Sequence, residues 1–179
     1  MSSFRHILKR ILITAGLIAL VFLLQESVFP HLALGGITPN CVIILVCFAG
    51  FSNGALEGML VGFFSGILLD LMHGQYFGMY ALLYLYIGFL NGSFRKFFFG
   101  EDLKLPLLFT GLSDIIYGFV IYFFLFFTRQ KTDVLFYIKS IIIPEAVYTM
   151  LVTVALYVPL LLIYNFMGKQ KQRETKIIV

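Results

Sequence analysis

Long apolar stretches alternate with short polar or glycine-containing connections along most of the 179 residues. A helix that crosses a bilayer needs about 20 predominantly apolar residues, and most of these stretches approach that length. The pattern therefore predicts an all-α, polytopic membrane bundle of about six transmembrane helices in a single domain, residues 1–179. The predicted helices cover residues 11–29, 39–51, 55–72, 77–97, 105–127 and 146–166.

The last apolar region, residues 134–166, is interrupted by Pro144 and Glu145. Its second half is long enough to span a membrane alone, whereas its first half, VLFYIKSIII, is too short. The first half is expected to form either an interfacial or re-entrant segment or the start of one long kinked helix. A count of five or six spans depends on this region.

The composition supports a membrane protein, since 60% of the residues are hydrophobic and only 12% are charged. Soluble domains carry about 25% charged residues, so this chain has too few to cover a water-soluble surface. The formal net charge of +4 comes from residues that flank the apolar stretches and does not indicate nucleic-acid binding. Cys41 and Cys47 lie in an apolar run without metal-ligand spacing, which favours simple packing.

The distribution of lysine and arginine predicts the orientation, because cytoplasmic loops are enriched in these residues. With both termini in the cytoplasm, ten of the thirteen basic residues lie on the cytoplasmic side. The reverse orientation would leave three there. Six spans also place both basic termini on the same side of the membrane.

A stripe of glycines leads to an acid in the third predicted helix. Gly58, Gly62 and Gly66 are spaced by four residues, and Asp70 follows at the same spacing. Residues four apart share one side of a helix, and a side without side chains allows a second helix to approach closely. The stripe is expected to support packing within the bundle or to form a groove for a partner helix. Asp70 either caps the turn after its helix or faces inward and pairs with a backbone N–H, a histidine or a basic group.

Two further acids are expected inside the membrane. Asp114 lies about mid-way along the fifth predicted helix, with Thr110, Ser113 and Tyr117 as possible hydrogen-bond partners. Glu145 follows Pro144, where a helix could open. Ionisable residues at such depth are costly and usually face the interior of a bundle.

The chain lacks the motifs that mark common enzymes and metal sites. It has no HExxH motif, no glycine-rich phosphate loop and no evident Ser-His-Asp arrangement. We therefore expect no catalytic residue, no metal and no cofactor, and a protein that is not an enzyme. An intramembrane site built from Asp70, Asp114 and Glu145 is the alternative.

An ordered set of residues resembles the MreD family of bacterial rod shape-determining proteins. The second span opens with a Pro-Asn pair, and a glycine-spaced helix ends in Leu-Asp. A short loop, a glycine, an Ala-Leu-x-Tyr segment and a later glycine pair follow. In this chain the residues are Pro39, Asn40, Gly58, Gly62, Gly66, Leu69, Asp70, Gly78, Ala81, Leu82, Tyr84, Gly88 and Gly92.

The resemblance implies a non-enzymatic scaffold of the cell elongation machinery in the bacterial cytoplasmic membrane. MreC is the implied direct partner, with MreB and the peptidoglycan synthases in the same complex and membrane lipids around it. The implied fold is similar to that of the substrate-binding subunits of energy-coupling-factor vitamin transporters. The alternative function is therefore capture of a vitamin, in a pocket predicted to be lined by Asp70, Tyr76, Tyr84 and Asp114. A lipid-binding role is a third alternative without residue-level support.

Overall fold

The computed structural model describes residues 2–73, 76–97, 104–125 and 134–175. These residues form helices joined by short turns, with no β-strand among them. The predicted helical membrane bundle is therefore confirmed. The helices are α1 Ser2–Leu23, α2 Cys41–Asn53, α3 Ala55–His73, α4 Met79–Ser93, α5 Lys104–Leu125, α6 Val134–Tyr137 and α7 Ile143–Thr175.

The region around Pro144 is one continuous helical run. A π-helical turn, Ile138–Ile142, joins α6 to α7, so that residues 134–163 form a single candidate span. A proline ring clashes with the carbonyl four residues earlier in a regular helix, and the wider π turn just before Pro144 accommodates this clash. The expected interruption is thus absent, and of the two alternatives the long helix is the observed one. A similar π turn, Leu24–Val28, extends α1.

Within the described residues, four helical runs are long and apolar enough to cross a membrane. They are Leu8–Leu32, Ala55–His73, Lys104–Phe124 and Val134–Ile163. The other two, α2 with 13 residues and α4 with 15, measure only about 20 and 22 Å, against a hydrocarbon thickness of about 30 Å. The fourth helix is therefore shorter than the predicted 77–97, because it begins after Gly78 and gives way to a 3-10 turn at Phe94–Phe97.

The six helical runs alternate in direction. The runs of α1 and α3 are parallel, because their starts contact each other and so do their ends. Helices α3 and α4 are antiparallel, because the start of α3 contacts the end of α4. Consequently the start of α1 and the end of α7 point to one end of the bundle, which we call the Arg10 end; the opposite end is the Asp70 end. The contacts that define these directions are, between α1 and α3, Arg10–Glu57 and Glu26–His73; between α2 and α7, Asn40–Thr149 and Phe48–Tyr157; between α3 and α4, Gly58–Gly88 and Gly66–Ala81; and between α4 and α5, Tyr84–Tyr117 and Phe94–Phe109.

This alternation is compatible with two cytoplasmic termini, but the side of the membrane that each end faces stays a prediction from charge. Arg129 and Lys131, which contribute to the charge pattern, lie outside the described residues.

The short helix α2 forms the centre of the bundle. Every residue from Cys41 to Phe51 is buried, with at most 6% of each side chain exposed. Helices α1, α3, α4, α5 and α7 surround it. A helix that is covered by protein on all sides does not need to match the thickness of the bilayer.

Candidate functional site

The glycine stripe is covered by α4 of the same chain. Gly58 and Gly66 are so close to α4 that an added Cβ would lie 2.5 Å from the carbonyl oxygen of Gly88 and from Cα of Ala81, respectively. Gly62 meets the backbone of Tyr84 in the same way. Because α4 already occupies this side of α3, a partner helix would have to contact another surface. An indirect contribution of these glycines to partner binding, through the packing of α3 against α4, stays a prediction.

Asp70 links the end of α3 to the start of α4. Its Oδ1 accepts a hydrogen bond from the backbone N–H of Tyr80 at 3.1 Å, and its Oδ2 accepts one from Ala81 at 2.9 Å. Helices usually receive such a bond from the side chain of their own N-cap residue. The N-cap here is Gly78, which has φ +94° and no side chain to offer. Asp70 is 4% exposed, so this carboxylate is both a cap and an inward-facing acid.

A second polar centre fixes the start of α2. The Asn40 side chain accepts hydrogen bonds from the Ile43 N–H at 3.1 Å and from the Tyr84 hydroxyl at 2.9 Å. The Asn40 N–H donates to Thr149 Oγ1 at 3.0 Å, and Gln25 accepts from the Val42 N–H at 3.0 Å. The first N–H groups of a helix need partners, and at membrane depth protein must supply them. Side chains from the extended first helix, from α2's own N-cap and from α7 do so here.

Asp114 and Glu145, the two predicted intramembrane acids, lie close to this centre and to each other. Asp114 is 2% exposed and lies beside Thr149 and Asn40, yet neither carboxylate oxygen has a hydrogen-bond partner among the described residues. Hydrogen bonds to Asp114 from Thr110, Ser113 or Tyr117, the possible partners named from the sequence, do not occur. Ser113 Oγ accepts a hydrogen bond from Asn91 Nδ2 at 2.9 Å. Glu145, partly buried, forms neither a hydrogen bond nor an ion pair with the part of the chain that is described.

A cavity of about 210 Å³ opens at the Asp70 end. Glu145, Tyr80 and Tyr117 contribute to its wall. His73 and Glu26 also line it and form a pair, with His73 Nε2 3.3 Å from Glu26 Oε2. None of the four residues predicted to line a vitamin pocket (Asp70, Tyr76, Tyr84 and Asp114) lines this cavity. Among the described residues, the lining consists of Gln25, Glu26, Thr38, Pro39, Asn40, Leu69, His73, Tyr80, Tyr117 and Glu145.

Sequence reasoning missed Gln25, Glu26 and Thr149 as members of these polar centres. The first two form an adjacent polar pair within an apolar run, which is a signal of buried or cavity-facing positions in a membrane helix. Thr149 carries no such signal, because threonine is common in membrane helices and its partner is 109 residues away. Pro39 and Asn40, predicted to open the second helix, do lie immediately before Cys41.

A larger apolar groove of about 770 Å³ lies between α1 and α3. The α1 wall combines the small residues Thr14, Ala15 and Ala19 with Ile11 and Ile18, and the α3 wall contains large residues such as Leu60 and Phe64. An ion pair between Arg10 and Glu57 lies toward the Arg10 end of this groove. The groove is open to the surroundings of the bundle.

No group of three or more histidine, cysteine, aspartate or glutamate side chains that could hold a metal ion occurs within the described ranges. Comparison with curated proteins and with solved structures gives no match. The implied likeness to vitamin-transporter subunits therefore stays a prediction.

The family model described as rod shape-determining protein MreD matches residues 5–167, nearly the whole chain. The match includes the glycine stripe, Asp70, the Asn40 centre and both intramembrane acids. Four long apolar helices agree with a multi-pass protein of the bacterial inner membrane. The chain belongs to the MreD family of rod shape-determining membrane proteins.

Proposed function

We propose that this protein is a non-enzymatic scaffold of the cell elongation machinery that binds MreC directly within the membrane. Through MreC it joins MreB and the peptidoglycan synthases in one complex. The observation that carries the proposal is the family match over residues 5–167. We further propose a single membrane domain with both termini in the cytoplasm, as the positions of the basic residues favour.

The groove between α1 and α3 is the surface we propose for the membrane helix of MreC. The glycine stripe is not available, because α4 covers it. The groove is mostly apolar, and its α1 wall includes the small residues Thr14, Ala15 and Ala19, which allow a second helix to approach closely in a membrane. Its α3 wall offers large side chains, among them Leu56, Leu60 and Phe64, that can pack against the incoming helix.

Filling the groove tests this proposal. We expect Ala15→Leu combined with Ala19→Leu to reduce co-purification of full-length MreC about tenfold or more, because the added side chains occupy the space of the partner helix. Gly16→Leu is the matched control: Gly16 lies on the same helix and outside the groove, and nothing lies within 4 Å of an added Cβ.

Direct binding of MreC and the location of the interface in the groove are tested by separate outcomes. If the double variant and the control retain MreC equally, the groove is not the interface. If the unaltered protein fails to retain MreC in detergent and in native membrane extracts, direct binding is refuted. Restoration of rod shape in cells that lack the native protein provides an independent measure of scaffold activity for each variant.

A further inference from the structure

The cavity at the Asp70 end has an excess of negative and acceptor groups. Glu26 and Glu145 line it, and the unpartnered carboxylate of Asp114 lies beside Asn40, another lining residue. Of the described residues that line the cavity, only His73 is basic, and it already pairs with Glu26. Among the described residues Glu145 and Asp114 thus lack a countercharge, although a buried carboxylate without one is costly.

The wall beside Glu145 is aromatic. Tyr80 and Tyr117 both line the cavity, and their ring centroids are 6.4 Å apart. Tyrosine rings attract cations at their faces, and ammonium groups are commonly recognised by aromatic side chains together with a carboxylate. A carboxylate next to two tyrosines therefore favours binding of a positively charged, partly apolar group over a neutral sugar or an anion.

The size of the cavity limits the ligand further. A volume of about 210 Å³ equals about seven water molecules at about 30 Å³ each. Such a space accommodates a small alkylammonium group. No arrangement of three or more metal-binding side chains occurs in the described parts of the chain, which favours an organic cation over a transition metal.

We propose that this cavity binds a small organic ammonium group, with Glu145 as its countercharge and Tyr80 and Tyr117 as its aromatic wall. The ammonium belongs either to a free amine or to the headgroup of an aminophospholipid, which share the same chemistry. This proposal does not depend on binding of MreC.

Binding of choline and ethanolamine to the full-length protein in detergent micelles, measured by calorimetry, tests the proposal. We expect saturable binding of at least one of them, and none of 3,3-dimethyl-1-butanol, which has the shape of choline without its charge. Glu145→Gln should weaken binding about tenfold or more, since it removes the countercharge while keeping the shape. Glu57→Gln, a carboxylate loss at the opposite end, is the control and should leave the affinity unchanged.

Two variants of Tyr80 separate ring recognition from folding. Tyr80→Phe keeps the aromatic face and should retain most of the affinity, whereas Tyr80→Leu should lose it. Both keep the backbone N–H that binds Asp70, and their thermal midpoints without ligand report whether the fold is intact. Folded Tyr80→Leu protein with full affinity would contradict the aromatic wall.

Nanodiscs distinguish the source of the ammonium group. Competition between phosphatidylethanolamine and free choline or ethanolamine, with none from phosphatidylglycerol, would identify a lipid headgroup as the ligand. Equal affinity of the free amine in both lipids would identify a soluble amine. Absence of binding by either amine and by the lipid, or binding that is unchanged by Glu145→Gln, would overturn the proposal.

Discussion

The carboxylate of Asp70 is expected to be a major source of stability in the α3–α4 pair. The two backbone N–H groups that it binds, those of Tyr80 and Ala81, lie in the first turn of α4, and the N-cap residue Gly78 has no side chain to replace it. Asp70→Ala removes both acceptors at once. Asp70→Asn keeps one acceptor oxygen and turns an amide donor toward the second N–H group.

The magnitude follows from the burial of this site. Each buried N–H group that loses its partner costs about 1–3 kcal/mol, and loss of an N-cap costs about 0.5–2 kcal/mol. Removal of a carboxylate that is 4% exposed also relieves part of its own desolvation penalty. We therefore expect Asp70→Ala to lower the free energy of unfolding by about 2–4 kcal/mol, and Asp70→Asn by about half as much.

Equilibrium unfolding in mixed micelles of a mild detergent and dodecyl sulfate, followed by circular dichroism, measures this loss. Glu26→Gln is the control, because it removes a carboxylate from a partly exposed pair with His73 that is worth less than about 1 kcal/mol. A loss for Asp70→Ala no larger than that of the control, or a greater loss for Asp70→Asn than for Asp70→Ala, would refute the capping argument.

Two other substitutions test the packing and the Asn40 centre in the same unfolding assay. Gly66→Ala should lower the free energy of unfolding by about 1–3 kcal/mol, because the added Cβ would lie 2.5 Å from the α4 backbone. The control Gly16→Ala, with nothing within 4 Å of its Cβ, should be neutral or stabilising. Equal effects of the two substitutions would contradict close packing of α3 against α4. Tyr84→Phe should cost about 1 kcal/mol by removing the bond to Asn40. Tyr86→Phe, at a position that is 61% exposed, is the control and should not change the stability. A Tyr84→Phe protein as stable as this control would show that the hydrogen bond to Asn40 does not stabilise the fold.

The sequence predicted the helical bundle and the most distinctive local features. The predicted helix 55–72 differs by only one residue from Ala55–His73. The prediction was accurate because glycine and polar residues mark both ends of this apolar run. The glycine spacing correctly suggested a close approach of helices, since period and residue size determine it. The chain segment that makes the approach, α4, could not be identified from the spacing alone.

Contacts between distant segments were not predictable because the helices are apolar on nearly every side. An apolar stripe normally indicates which side of a helix faces the core, and α2 has no such stripe. Its central position and its partners Gln25 and Thr149 therefore could not be deduced. For the same reason Thr110, Ser113 and Tyr117 were equally possible partners of Asp114 from the sequence, whereas Ser113 contacts Asn91 in the structure.

The hydrogen bond between Asn40 and Thr149 has a consequence for biosynthesis. The ribosome completes α2 long before it makes Thr149, which is 109 residues further along the chain. Until the last helix enters the membrane, the backbone N–H of Asn40 lacks this partner, and hydrocarbon offers no substitute. Synthesis of the last helix therefore completes the hydrogen bonding at the start of α2. Truncation before that helix would leave the backbone N–H of Asn40 without its partner Thr149.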